Sequence, residues 1–448
     1  MCRAAVVAGA GVVLLGPAVG VASAAGGAGA GVRPAAGARA VFVAAWGRAR
    51  EVPGIGRLNT GGGAAITAVS CPSAGNCSAG GYYTPAAEPG YASAQVFVVS
   101  EVHGIWGRAR EVPGTAALNW AGGATVNSVS CASAGNCTAG GYLNADSGAD
   151  QAFVASEVHG TWGRARAIPG GARGREGSFV TSVSCAAAGN CSAGGTYTVN
   201  FSYAQAFVVS EVHGTWGRAE EVPGTAALNH GNAYVYSVSC AAEGNCSAGG
   251  QYDDNSGGVQ GFVASQVHGT WGRAEEVPGT AALNQGGGAV INSVSCASAG
   301  DCSVGGVYRD RSRRAQAFVV TQVHGTWGKA EEVPGAAALN QGGYAGGPGA
   351  QVTSVSCAAA GNCSAGGTYT DSSGHSQAFV VNQVHGIWGQ ARQVPGTAVL
   401  DQGGSAWLPS LSCAAAGNCS AGGTYTDSSG QEAFIVNKGP GSNPSQDK

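Results

Sequence analysis

Seven close copies of one stretch, typified by Ser184-Cys-Ala-Ala-Ala-Gly-Asn-Cys-Ser-Ala-Gly-Gly195, divide this chain into repeats. Each copy carries two cysteines six apart: Cys71/Cys77, Cys131/Cys137, Cys185/Cys191, Cys240/Cys246, Cys296/Cys302, Cys357/Cys363 and Cys413/Cys419. Successive copies begin 60, 54, 55, 56, 61 and 56 residues apart, so one supersecondary unit is used throughout. A unit of that size cannot bury both of its faces alone, and the repeats must stack to make a core.

Period-two alternation bounded by Gly, Asn and Asp marks four strands in a full repeat. In the third repeat strand A is 180–185, strand B 191–198, strand C 205–210 and strand D 215–223. Pro follows Trp by seven residues at the end of every strand D (Trp216 and Pro223, for example), which suits an outer edge strand where a missing N–H costs no ladder bond. Four antiparallel strands in about 57 residues correspond to one propeller blade. The chain ends are complementary. Phe42 precedes Trp46 by only four residues, too few for a strand C, so the chain opens on a lone strand D. At the other end, 412–437 supplies strands A, B and C and then stops. The expected fold is an all-β, seven-bladed β-propeller over 39–438. Four antiparallel strands form each blade, and the N-terminal strand D joins the C-terminal strands A–C to close the ring.

The flanking segments read by composition. Arg3, the apolar run 4–21 and Ala22-Ser-Ala24 form a signal-peptide pattern over 1–24. Residues 25–38 are a Gly/Ala-rich linker, and 439–448 a tail expected to be disordered. Loss of Cys2 with the signal leaves fourteen cysteines, and an even number in an exported chain favours disulfides between the partners six apart. The pairs have no second Cys pair or His at ligand spacing, which argues against metal. The formal net charge of −3 gives no electrostatic case for nucleic acid. No other stretch is long and apolar enough to span a bilayer once the signal is cleaved, and a monomer is expected.

Ser210-Glu-Val-His-Gly-Thr-Trp216, with counterparts at all six internal C–D turns, resembles the Asp-box of sialidase-type propellers. That box lies on the same turn and ends in a core tryptophan. Here the turn is one residue shorter, and Val102 stands where the aspartate belongs in the first copy. The box is structural in that family, so the resemblance implies the fold rather than sialidase activity. The turn histidines His103, His159, His213, His268, His324 and His385 each belong to a different blade and read as exposed turn residues, not a metal site.

Residues required by every blade are explained by the blade, so a single site belongs where repeats differ. The A–B and C–D turns have constant length. From the second Cys to the next Trp is 29 residues in the first copy and 25 in the others, and from Pro to the next Cys is 16, 17, 18 or 23. All length variation therefore falls on the B–C and D–A loops, which share the opposite face. That face collects the candidate ligand-binding residues Trp120, Arg173, Arg175, Glu176, His230, Tyr234, Tyr236 and Trp407. Aromatics with a few charges suit carbohydrate or protein as partner. No catalytic residues, metal ligands or cofactor motif are assigned. The expected function is a secreted, non-catalytic binding or display scaffold. The alternatives are a multivalent carbohydrate-binding lectin and, third, a glycoside-active, sialidase-like enzyme.

Deleting 39–55 should expose the edge of the last blade, with aggregation or a large loss of stability measured by light scattering and melting. A truncated chain that stays monomeric with unchanged melting overturns the closure.

Overall fold

The computed structural model describes residues 51–86, 94–120, 122–145, 148–170, 177–200, 202–402, 404–428 and 430–438. Seven antiparallel sheets follow one another in sequence and form a seven-bladed β-propeller. In blade three, strand A is Ser178–Ala187, strand B Asn190–Val199 and strand C Tyr203–Val212. The A strands of successive blades touch one another and form the innermost layer. Strand D is not continuous as the alternation implied. It comprises two short pieces, Thr215–Trp216 and Glu220–Glu221, both paired with strand C. Between them Gly217 N–H is drawn back onto Ser210 C=O at 2.9 Å, which breaks the ladder.

Strand A also departs from strict alternation. A bulge between Val180 and Ser182 places two valines, Val180 and Val183, on the same side, where both are buried. They pack on Gly140 of the preceding blade, whose added Cβ would lie 2.6–2.7 Å from their methyl groups. The Gly-Gly pair of strand B is explained by two close approaches. A Cβ on Gly194 would meet Val235 Cγ1 of the next blade at 2.5 Å, and one on Gly195 would meet Phe179 C=O of its own blade at 1.9 Å. Each hydrophobic cluster spans a junction. Val96, Val98 and Val112 of blade one, for instance, interlock with Val126, Val129 and Phe153 of blade two.

Serines stitch the inner layer. Ser128 and Ser130 Oγ accept from Val183 and Cys185 N–H of the next blade, both at 3.0 Å. The same pair of bonds recurs from Ser182 and Ser184 to blade four and from Ser237 and Ser239 to blade five. The Ser-x-Ser-Cys pattern is thus an inter-blade device.

At the other end of the hairpin every expected cysteine pair is a disulfide within its own blade. The bridges are Cys71–Cys77, Cys131–Cys137, Cys185–Cys191 and Cys240–Cys246 in blades one to four. Cys296–Cys302, Cys357–Cys363 and Cys413–Cys419 follow in blades five to seven. As expected, the cysteines flank the turn at the end of strand A and the start of strand B, Cys240 directly across from Cys246 and Cys296 from Cys302. From blade two onward the second cysteine also reaches the preceding blade, which its spacing did not reveal. Ser192 Oγ lies 3.4 Å from Cys246 Sγ and Ser247 Oγ 3.4 Å from Cys302 Sγ. A bridged sulfur carries no proton, so the serine hydroxyl is the donor in each contact. Cys246 and Cys302 are accordingly buried, whereas Cys77, on blade one, is only half-buried.

Blade seven has strands Ala406–Ala415, Asn418–Asp427 and Gly430–Lys438, and its expected fourth strand lies outside the described residues. Pro53 follows directly from that segment. Its carbonyl accepts from Ala109 N–H at 2.7 Å, the bond that Pro113 makes to Ala165 and Pro169 to Ala219. Residues 51–58 therefore sit on blade one as the end of a preceding strand D does at other junctions. The seam between blades seven and one is looser than the rest. Ile66 and Val69 are 45% and 38% exposed, whereas their counterparts Val126 and Val129 are fully buried. The half-burial of Cys77 has the same origin. The signal-peptide, linker and tail segments lie outside the described residues. No helix among the described residues is long and apolar enough to cross a membrane.

Gly194→Ala should overpack the blade three–four junction and cost about 1–3 kcal/mol in denaturant unfolding. An unchanged unfolding midpoint would show that the interface yields without penalty.

Candidate functional site

The loop face is built on a device that the strand reading did not include. After five of the Pro-Gly steps, where glycine adopts positive φ (Gly224, φ 87°), the chain makes a single helical turn. These turns are Ile55–Leu58, Thr225–Leu228, Thr280–Leu283, Ala336–Leu339 and Thr397–Leu400. The asparagine that follows is a latch between neighbouring B–C loops. Asn340, nearly fully buried, donates to Ala315 C=O at 2.9 Å and accepts from Thr370 N–H at 3.1 Å, so it ties blade five to blade six. Asn119 and Asn284 make the same pair of bonds. The repeated Ala-Ala-Leu-Asn was the signal available in the sequence for this latch.

Side chains on this platform differ from blade to blade. Trp120 follows the Asn119 latch and is 75% exposed, held through Trp120 N–H to Asn144 C=O at 2.8 Å. Trp407, on strand A of blade seven, is 43% exposed. Tyr234 and Tyr236, both on strand A of blade four, stack with centroids 5.9 Å apart and planes within 7°. His230 is exposed, its Nδ1 3.1 Å from Leu228 C=O. The structure thus brings Tyr234, Tyr236 and His230 to one blade and places Trp120 and Trp407 on others. Arg173, Arg175 and Glu176 lie outside the described residues. The B–C loops use their carboxylates inward. Asp254 accepts from Ser256, Gly258 and Gln260, and these bonds outweigh the upward push of burial and hold it at about 2. Asp310 and Asp371 accept from their own loops in the same way, which is turn chemistry rather than a cation site.

On the opposite face the six turn histidines share one role. His213 (φ 48°) and Gly214 (φ 77°) form a two-residue turn with both φ positive, the hairpin geometry that twists with the strands. His213 N–H donates to Asn190 Oδ1 and Gly214 N–H to Gly189 C=O, so the C–D turn is docked on the A–B turn beside the disulfide. The imidazoles are exposed and separated by blades. Among the described residues no group of three His, Cys, Asp or Glu is placed to hold a metal.

Beneath these turns runs a buried polar layer. Ser78 and Ser100 of blade one both donate to Glu157 of blade two, at 3.1 and 2.7 Å. Ser156 donates to Glu211 of blade three at 3.1 Å. In blades four to six glutamine takes the same position, with Gln266, Gln322 and Gln383 donating to Ser210, Ser265 and Thr321. Strand D carboxylates are engaged too. Tyr83 and Tyr252 hydroxyls donate to Glu111 and Glu276, and burial with the adjacent carboxylate raises both phenols. Burial likewise pushes the Glu211 carboxyl up, against the opposing effects of Ser156, Arg166 and the Trp216 N–H. Cavities of about 50, 190, 210 and 230 Å³ open at equivalent places between blades one and two, two and three, three and four, and six and seven. Cys77 lines the first of these and Cys246 the third, each as half of a disulfide, so neither offers a thiolate to a ligand there.

No known protein family matches the sequence, and no curated protein matches it. Among solved structures, the chain is similar to YCF48 from Cyanidioschyzon merolae at 13% identity, over 76% of this chain and 91% of that one, with a TM-score of 0.40. It is similar to the β-propeller domain of the Trilobed protease from Pyrococcus furiosus at 8% identity, over 85% and 99%, with a TM-score of 0.44. It is also similar to the Hadza microbial sialidase Hz136 at 11% identity, over 81% and 63%, with a TM-score of 0.36. Likeness at this level extends to neither activity nor ligand.

Because the Glu211 carboxyl is raised in the fold, protonation favours folding: its stabilisation is complete in acid and is lost as pH rises through the raised value. Glu211→Gln, the residue blades four to six already use, should melt like wild type at about pH 4 and gain on the order of 1 kcal/mol at about pH 8. A variant less stable at the higher pH would refute this account of the junction.

Proposed function

We propose that the chain is a secreted, non-catalytic β-propeller that binds or displays a ligand outside the cell or at its surface, through the B–C/D–A face. The observation that carries this reading is where the repeated polar groups are engaged. Glu111, Glu157, Glu221, Glu276, Asp254 and Asp310 all accept hydrogen bonds from the scaffold itself, whereas Trp120 and Trp407 project from it. A glycosidase needs two convergent carboxylates facing substrate, and carboxylates committed to blade contacts do not supply them. Seven disulfides support an oxidising compartment, in keeping with the signal-peptide pattern at 1–24. A sevenfold ring needs its symmetry broken to hold an asymmetric ligand, and the loop face is where chemistry changes between blades. Trp120, Trp407, Tyr234 and Tyr236 supply apolar contact, while Arg173, Arg175, Glu176 and His230 orient a polar partner.

A second reading, a multivalent lectin with equivalent sites between blades, is supported by the recurring turn-face cavities. A glycan array followed by titration separates the two. The first reading expects one site per chain, with Trp120→Ala, Arg175→Ala, Tyr236→Ala and Trp407→Ala each weakening binding about tenfold at unchanged melting temperature. Several equivalent sites per chain, with binding lost in His213→Ala or Arg218→Ala and normal in the loop variants, transfers the assignment to the lectin.

A further inference from the structure

The outer rim is not charged evenly, and the repeat itself reveals where it departs. Strand D presents two exposed positions outward, two residues apart. In blade one they are Arg108 and Arg110, and in blade two Arg164 and Arg166. In blades three, four and five the second position is acidic (Glu220, Glu275 and Glu331), so each pair is neutral. The helical turn lying against each strand D adds a third contrast. Its third residue is Ala227, Ala282 and Ala338 at later junctions, but Arg57 at the junction onto blade one. Arg57, Arg108 and Arg110 together line one open cavity of about 310 Å³ with Gly54, Leu58 and Ala109. The neighbouring carboxylate Glu111 does not neutralise them from within, because it accepts from the Tyr83 hydroxyl at 2.8 Å and from Thr115.

We propose that this rim is a docking surface for a linear anionic polysaccharide, one acidic group seated among Arg57, Arg108 and Arg110 and further groups running onto Arg164 and Arg166. Three guanidiniums around one cavity match a carboxylate or sulfate, which each can meet with paired N–H donors. Arg108, in the gap between the two strand D pieces, and Arg110, on the second piece, are two residues apart, and the pattern repeats at Arg164 and Arg166 on the adjacent blade, so the surface suits a chain with recurring charge rather than a single small ion. Trp106, two residues before Arg108, is 36% exposed, but one ring is not a platform for successive bases, and the formal net charge of −3 adds no attraction for nucleic acid, so both favour a polysaccharide over single-stranded nucleic acid. This surface is separate from the loop face and stands whether or not that face binds anything.

The test measures binding of the full chain to dextran sulfate and polygalacturonate at low ionic strength, with neutral dextran and single-stranded DNA as comparisons. The variant Arg57→Gln/Arg108→Gln/Arg110→Gln keeps the packed stems and should weaken binding at least about tenfold, with a shallower salt dependence and unchanged melting. A charge-matched variant, Arg273→Gln/Lys329→Gln/Arg392→Gln, should bind within about twofold of wild type. Equal loss in both variants, no effect of the first, no binding by wild type, or tighter binding to DNA than to either acidic polysaccharide overturns the proposal. So does sedimentation showing that the patch instead joins copies of the chain through the glutamates Glu220, Glu275 and Glu331 of blades three to five.

Discussion

The architecture depends on hydrogen bonds between innermost strands that do not belong to the same sheet. In an ordinary sheet the inner edge of strand A would offer its N–H groups to solvent or to another chain. Here Ser128 and Ser130 of one blade cap the Val183 and Cys185 N–H groups of the next, and the motif recurs at the junctions up to blade seven. The serines of one blade thereby satisfy the next blade's backbone, while that next blade's Val180 and Val183 fill the gap at Gly140 of the first. The polar and apolar halves of the interface are set by the same few residues, so neither half can shift without breaking the other.

That coupling explains the small-residue composition. Gly194 and Gly195 allow an approach between blades, and between strands of one blade, that a Cβ would block. With so little side chain at the contact, each junction gains its stability from close fit and from the fully buried Phe207 and its equivalents rather than from bulk. The disulfides pin the hairpin tips where this core thins out, and Cys246 and Cys302 add a serine contact to the blade before. The seam between first and last blades is the one junction that chain connectivity does not enforce, and the exposure of Ile66 and Val69 shows its looser packing.

The two faces of the ring divide structure from variation for a physical reason. On the turn face, the His-Gly turns bond to the Gly-Asn turns, as His213 and Gly214 do to Asn190 and Gly189, so an insertion in either breaks the other. On the loop face the asparagine latch fixes only the base of each loop, and residues beyond it, such as Trp120, are free to change. The rim varies similarly, because the strand D positions exemplified by Arg108 and Arg110 are exposed. Sequence divergence therefore accumulates at places able to carry a ligand without disturbing the stack.

The sequence alone determined the repeat, the blade count, the strand pattern and the disulfide pairing, because all four follow from local spacing. Period-two alternation and constant Cys-x5-Cys spacing survive without knowledge of neighbours. What only the tertiary structure decided were the relations between blades. Ser128 and Ser130 read as ordinary outward residues of a strand until the next strand's N–H groups are placed beside them. Thr181 read as one step in an alternation, but a bulge there turns Val180 and Val183 to one side. Cys77, Cys246 and Cys302 read as equivalent, yet the open seam leaves the first half-exposed while neighbouring blades bury the others. Asn340 read as loop until it was seen to join two blades. Nothing in the spacing singled out Glu111 or Glu211, yet the Tyr83 hydroxyl holds the first and Ser156 of the preceding blade donates to the buried second. The candidate site was legible as a face but not as a constellation: its aromatics lie on separate blades, and distance between blades is a property of the ring that no spacing along the chain contains.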